Sequence, residues 1–107
     1  MNIRRLGVGA LCAILLGGTA ALGQAAGLDE RSVRSWAASC AACHGTDGRA
    51  IAGSTALAGR DGEDLYQLLI EFKTGERPAT VMHQHAKGYS DAELRALANW
   101  FAAQPRR

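Results

Sequence analysis

Cys40-Ala41-Ala42-Cys43-His44 is the stretch that decides how this chain is read. Two thiols three positions apart, followed at once by an imidazole, form the attachment pattern for a c-type haem. The spacing has a chemical reason. Both cysteines must reach the vinyl groups on one edge of a porphyrin to form thioethers. His44, the next residue, then meets the iron from one side of the ring. A methionine or a second histidine from far down the chain closes the opposite axial position. The pattern therefore predicts electron transfer through one covalently held haem c, bound by Cys40 and Cys43.

Rival readings of Cys-x-x-Cys fail on the rest of the sequence. A zinc site needs two more soft ligands, and no cysteine follows Cys43. A thioredoxin-like pair opens a helix inside a strand–helix–strand unit, and no run downstream of Cys43 reads as strand.

Working outward toward the N-terminus, Arg4 and Arg5 precede an apolar run from Leu6 to Leu22, and Gly23-Gln24-Ala25-Ala26 supplies small residues after it. This is the anatomy of a secretory signal peptide. Residues 1–26 are expected to be removed on export to the periplasm, leaving no stable membrane insertion. Cys12 leaves with them; Leu11 before it is not the small residue a lipoprotein site wants. Residues 27–107 form the single remaining domain, and its only cysteines are the two of the haem motif. Removing Arg4 and Arg5 from the 12 basic residues leaves ten against ten acidic ones. Near-neutral charge argues against nucleic acid as a partner. A domain of roughly eighty residues buries a limited core. A covalently attached, largely apolar porphyrin supplies the interior it lacks.

The chain reads as all-α, with three main helices and loops wrapped around the haem. The first runs over Asp29–Cys43, with Val33, Trp36, Ala37 and Cys40 on one face. Gly45 to Gly59 is a glycine-rich loop on the histidine side, one of whose carbonyls is expected to accept the second ring N–H of His44. Asp61 opens the next helix, Leu65, Leu68, Leu69 and Phe72 form its stripe, and Gly75 stops it. Pro78 breaks the chain before Met82. Met82 is the sole methionine of the exported part and a candidate axial ligand, with His83 and His85 as rivals. Ser90-Asp91-Ala92-Glu93 is a capping box. It starts a last helix with Leu94, Leu97, Ala98 and Phe101 on one face, expected to pack Phe101 or Trp100 against the Val33/Trp36 side. Arg106 and Arg107 read as a solvated tail.

With both ends of the site in view, the chain resembles a class I cytochrome c. Within that group it is similar to one half of a cytochrome c4 and, above all, to the haem subunit of flavocytochrome c sulfide dehydrogenase. The likeness rests on Ser39–Gly48, Leu57-Ala58-Gly59, Phe72–Met82, Ala86-Lys87-Gly88-Tyr89 and Leu97–Gln104, and the Gly75–Tyr89 segment points to the sulfide-oxidising branch. The resemblance implies a cytochrome c fold and His44 and Met82 as axial iron ligands. It also implies an FAD-containing sulfide-oxidising flavoprotein as electron donor and a soluble cytochrome or similar acceptor. Sulfide chemistry would belong to that flavoprotein, so this chain would not be an enzyme on its own. A free soluble carrier with transient partners is the alternative. Many relatives have proline where this chain has Thr55; a threonine carbonyl can accept the same bond from the ligand histidine.

Overall fold

The computed structural model describes residues 28–106; the expected leader lies outside them. Helix α1 spans Glu30–His44. Asp29 caps it, accepting hydrogen bonds from the N–H groups of Arg31 and Ser32 at 3.0 and 3.2 Å, and from the Ser32 hydroxyl at 2.7 Å. These bonds, the Ser32 hydroxyl foremost, hold the Asp29 carboxyl below its ordinary pKa. Gly45 ends α1 with φ 78° and ψ 166°, a conformation open essentially to glycine alone. A single 3₁₀ turn, Thr46–Gly48, follows.

Helix α2 spans Gly62–Thr74. Asp61 caps it through the N–H of Asp64 at 3.0 Å, and Gly75 stops it in the left-handed conformation, φ 85°. Helix α3, Met82–Lys87, has six residues and no side-chain cap. Helix α4 spans Asp91–Ala102 and begins with a complete capping box between Ser90 and Glu93. The described residues contain no strand. The three main helices expected from the sequence are present; the short α3 is an addition. No periodicity announces so brief a helix, and its backbone bonds form only where tertiary packing seats it.

Helix α2 lies against both α3 and α4, and α1 packs on α4. Val33 and Ala37 of α1, Leu65 of α2, and Leu97, Ala98 and Phe101 of α4 make the buried cluster. Of the two aromatic candidates on α4, Phe101 is buried, and Trp100 flanks it edge-to-face with centroids 5.0 Å apart. Burying a side chain of this size contributes roughly 1.5–3 kcal/mol. Trp36 packs against Tyr89 in a T-shaped pair at 5.8 Å, joining α1 to the turn before α4. On the surface, Arg95 of α4 grips the Glu63 carboxylate of α2 and lies 3.5 Å over the Tyr66 ring. The hydrogen bond from Arg95 is the main cause holding the Glu63 carboxyl below its ordinary pKa.

The stripe of α2 divides in two. Leu65 enters the core, while Leu68, Leu69 and Phe72 are only half-buried and line a cavity. An apolar helical face turned toward a cavity rather than another helix awaits an apolar occupant.

Candidate functional site

The cavity lies between the end of α1, the histidine-side loop, α2 and α3, and measures about 330 Å³. That is within the roughly 300–1,000 Å³ of small-molecule and cofactor pockets. Its wall is dominated by apolar groups from Leu57, Leu65, Leu68, Leu69, Phe72 and Leu97.

All four sequence-predicted site residues line this one cavity. Cys40 and Cys43 sit at i and i+3 on α1, on the same side of the helix. Both are free thiols. Cys40 is half-buried, its Sγ 3.5 Å from the Trp36 carbonyl oxygen, and Cys43 is exposed. Burial pushes the Cys40 thiol pKa up, so it stays protonated at neutral pH. Among the described residues, no group of three or more His, Cys, Asp or Glu converges as a metal site of the zinc type requires.

His44 closes α1. Its Nδ1 lies 2.8 Å from the Thr55 carbonyl oxygen. A carbonyl only accepts, so Nδ1 is the donor of this bond, and in the neutral ring Nε2 is then the nitrogen that carries the lone pair. The loop carbonyl anticipated from the sequence is thus that of Thr55. The backbone beneath this loop is tied repeatedly. Ala50 N–H donates to the His44 carbonyl at 2.6 Å, and the Leu57 and Ala58 N–H groups share the Gly48 carbonyl at 2.7 and 3.0 Å. Gly48 has φ 75°, and a Cβ there would lie 2.7 Å from Cδ1 of Phe101. The loop therefore rests directly on the core.

Met82 begins α3 and reaches the cavity from the other side of the chain. The reversal that brings it there is held by the Arg77 N–H to the Glu71 carbonyl, 3.2 Å, and by Arg77 Nε to Glu71 Oε2, 2.7 Å. Ala86, 1% exposed, seats α3. Of the two rival histidines, His85 also lines the cavity and His83 does not; its Nδ1 is buried without a hydrogen-bond partner. Sequence reading missed two lining residues, Arg60 and Arg77. Arg60 lies in no hydrophobic period, and Arg77, though inside the Gly75–Tyr89 segment, carries no spacing that marks it as a lining residue.

An apolar slot with thiols on one edge, an imidazole in a fixed tautomer and a thioether suits a flat, hydrophobic iron macrocycle better than a polar substrate. An all-helical shell around such a slot is a small cofactor-binding domain.

Residues 29–101 match the family model described as "Cytochrome C oxidase, cbb3-type, subunit III". The chain belongs to that family, a family of cytochrome c domains. It is 44% identical over 63 residues to the cytochrome subunit of sulfide dehydrogenase of Chlorobaculum tepidum, covering 59% of this chain and 57% of that protein. It is 39% identical over 71 residues to the thiosulfate dehydrogenase electron acceptor of Stutzerimonas stutzeri, covering 64% and 33%. It is 35% identical over 88 residues to cytochrome c4 of Pseudomonas aeruginosa, covering 81% and 43%. The chain thus spans from a third to a little over half of these relatives' lengths. Both resemblances drawn from the sequence, to a sulfide dehydrogenase cytochrome and to cytochrome c4, are borne out. Family membership makes this an electron-transfer protein of the haem c type.

Proposed function

We propose that this chain carries a single haem c, attached through thioethers at Cys40 and Cys43, with His44 and Met82 as axial ligands. The proposed role is to accept electrons from an FAD-containing flavoprotein that oxidises sulfide and to pass them to a soluble cytochrome or similar acceptor. The observation that carries the reading is the convergence of those four side chains on one apolar cavity. The iron of such a group supplies a one-electron couple. The chain's residues do the rest. Thr55 orients the His44 ring and strengthens it as a donor. The leucines and Phe72 exclude water. The Met82 thioether favours the reduced state and a higher potential.

The donor is supported by the likeness to the Chlorobaculum protein, whose name makes it one subunit of a sulfide dehydrogenase. The Stutzerimonas protein, named as the electron acceptor of another sulfur-oxidising dehydrogenase, supports the same kind of role. Sulfide chemistry falls to the flavoprotein, and this chain is not catalytic on its own. The basic and apolar start of the sequence, with its small residues at 23–26, supports export to the periplasm. No helix of the described residues is long and apolar enough to cross a membrane.

Expression with haem maturation machinery tests the site. The pigment should resist acid acetone, and the oxidised protein should show the far-red sulfur-to-iron band. Met82→Ala should abolish that band; its survival would overturn the ligand assignment. Co-purification with a flavoprotein at high salt supports a subunit, and its absence favours the free carrier.

A further inference from the structure

Met82 and His85 stand three residues apart on α3, so they share one face of the helix. Both line the cavity. A thioether and an imidazole are thus offered to the same space from successive turns of one short element. The imidazole is uncommitted. Among the described residues, His44 is the only histidine whose ring is held by a hydrogen bond, and His85 is exposed.

Helix α3 is lightly held. It has six residues, no side-chain cap and one buried residue, Ala86. Its first turn hangs from the carbonyl of exposed Val81, which accepts from the N–H groups of Gln84 and His85 at 2.9 and 3.2 Å. Ahead of it, no atom lies within 4 Å of where a Cβ on Gly75 would stand, and Gly88 ends it. His83, between the two cavity residues, has its Nδ1 buried without a hydrogen-bond partner. An unpaired buried nitrogen counts against the present seat of the helix. Three residues of helix rise about 4.5 Å, so a slide of less than one turn carries His85 to the place that Met82 holds. Slides of this size between packed elements make discrete two-state switches.

The two donors suit different oxidation states. The soft thioether favours reduced iron and a high potential, whereas imidazole does not. We propose that His85 is a second axial ligand held in reserve, whose imidazole replaces the Met82 thioether on oxidised iron when α3 slides. One iron–sulfur bond breaks and one iron–nitrogen bond forms. No electron moves, and no proton moves while the imidazole is neutral. The exchanged form has the lower potential and accepts electrons less readily; reduced iron keeps Met82. The inference rests on the haem reading above and adds a second, regulated state of the same site.

The test compares the haem-loaded parent, His85→Ala and His83→Ala in rising urea at one pH, about 8, where histidine is neutral. The far-red band reports the sulfur ligand. Electron paramagnetic resonance and near-infrared magnetic circular dichroism report spin state and a second nitrogen ligand. Before global unfolding, the oxidised parent should lose the far-red band yet stay low-spin with two nitrogen ligands. The reduced parent should keep its methionine spectrum in the same urea. His83→Ala should reach the same low-spin state as the parent, whatever its midpoint, and His85→Ala should turn high-spin. An oxidised parent that turns high-spin directly, or a His85→Ala that stays low-spin like the parent, overturns the proposal. A second measurement needs no denaturant. Met82→Ala should be low-spin, and Met82→Ala/His85→Ala high-spin. Added imidazole should bind the double variant at least about tenfold more tightly, because no internal imidazole competes. Equal affinities would also overturn the proposal. Failure of the underlying reading is distinct: the parent would lack acid-acetone-resistant pigment, or would show no far-red band before any urea is added.

Discussion

The two sides of the cavity are built by opposite means. On the histidine side, the ring is fixed by a bond to Thr55, and the loop behind it is laced by backbone bonds and laid on Phe101. On the methionine side, Met82 opens a six-residue helix without a side-chain cap, held by Ala86 and one half-exposed ion pair, Arg77–Glu71. An imidazole has a second polar handle by which the fold can orient it. A thioether has none, so its position depends on the backbone that carries it. The methionine side is therefore the side expected to open first.

The largest effect tests whether the histidine loop leans on the core. Phe101→Ala removes the ring beneath Gly48 and should cost about 3–5 kcal/mol in denaturant unfolding of the loaded protein. A cost under 1 kcal/mol, on the order of a surface change, would separate loop from core.

A glycine pair comes next. At Gly45 a Cβ would lie 2.6 Å from the Ala50 carbonyl oxygen, in a conformation alanine does not adopt. Gly45→Ala should cost on the order of 3 kcal/mol, strain and clash together. At Gly75 nothing lies within 4 Å of such a Cβ, so Gly75→Ala should cost only the left-handed conformation, about 1 kcal/mol. Equal midpoint shifts for the two would erase the asymmetry.

Smaller still, Arg77→Ala should cost about 0–1 kcal/mol globally, since the pair is partly exposed. Amide exchange should nonetheless quicken over residues 75–87 and stay unchanged over 45–59. Uniform quickening would mean that the two sides open as one unit.

The least effect concerns acid, and it lies outside both sides. Asp29 and Glu63 have folded pKa values below their unfolded ones. Each therefore adds stability that is present above the unfolded carboxylate value and disappears as pH falls through the lower folded value. Denaturation midpoints should decline below about pH 4, less steeply in Asp29→Asn and Glu63→Gln. Slopes identical to the parent would refute the linkage.

The sequence alone determined what is local. Cys40, Cys43 and His44 are neighbours on one helix, so their spacing defines the motif before any folding. Asp29, Asp61 and the Ser90–Glu93 box start their helices through bonds made within three residues. The face Leu94, Leu97, Ala98 and Phe101 is legible because helical periodicity is local, and all four are buried. Tertiary structure decided what depends on distant partners. It alone turned Leu68, Leu69 and Phe72 toward a cavity instead of the core, and it formed α3, too short to stand without its neighbours. It brought Met82 and His85, but not His83, to the cavity wall, and chose Thr55 as the partner of His44. It also gave Arg106, exposed as a tail residue should be, a bond at 2.9 Å to the Gly59 carbonyl, and it set Arg60 on the cavity wall. Such contacts join residues far apart in the chain, and no pattern along the sequence records which of them will meet.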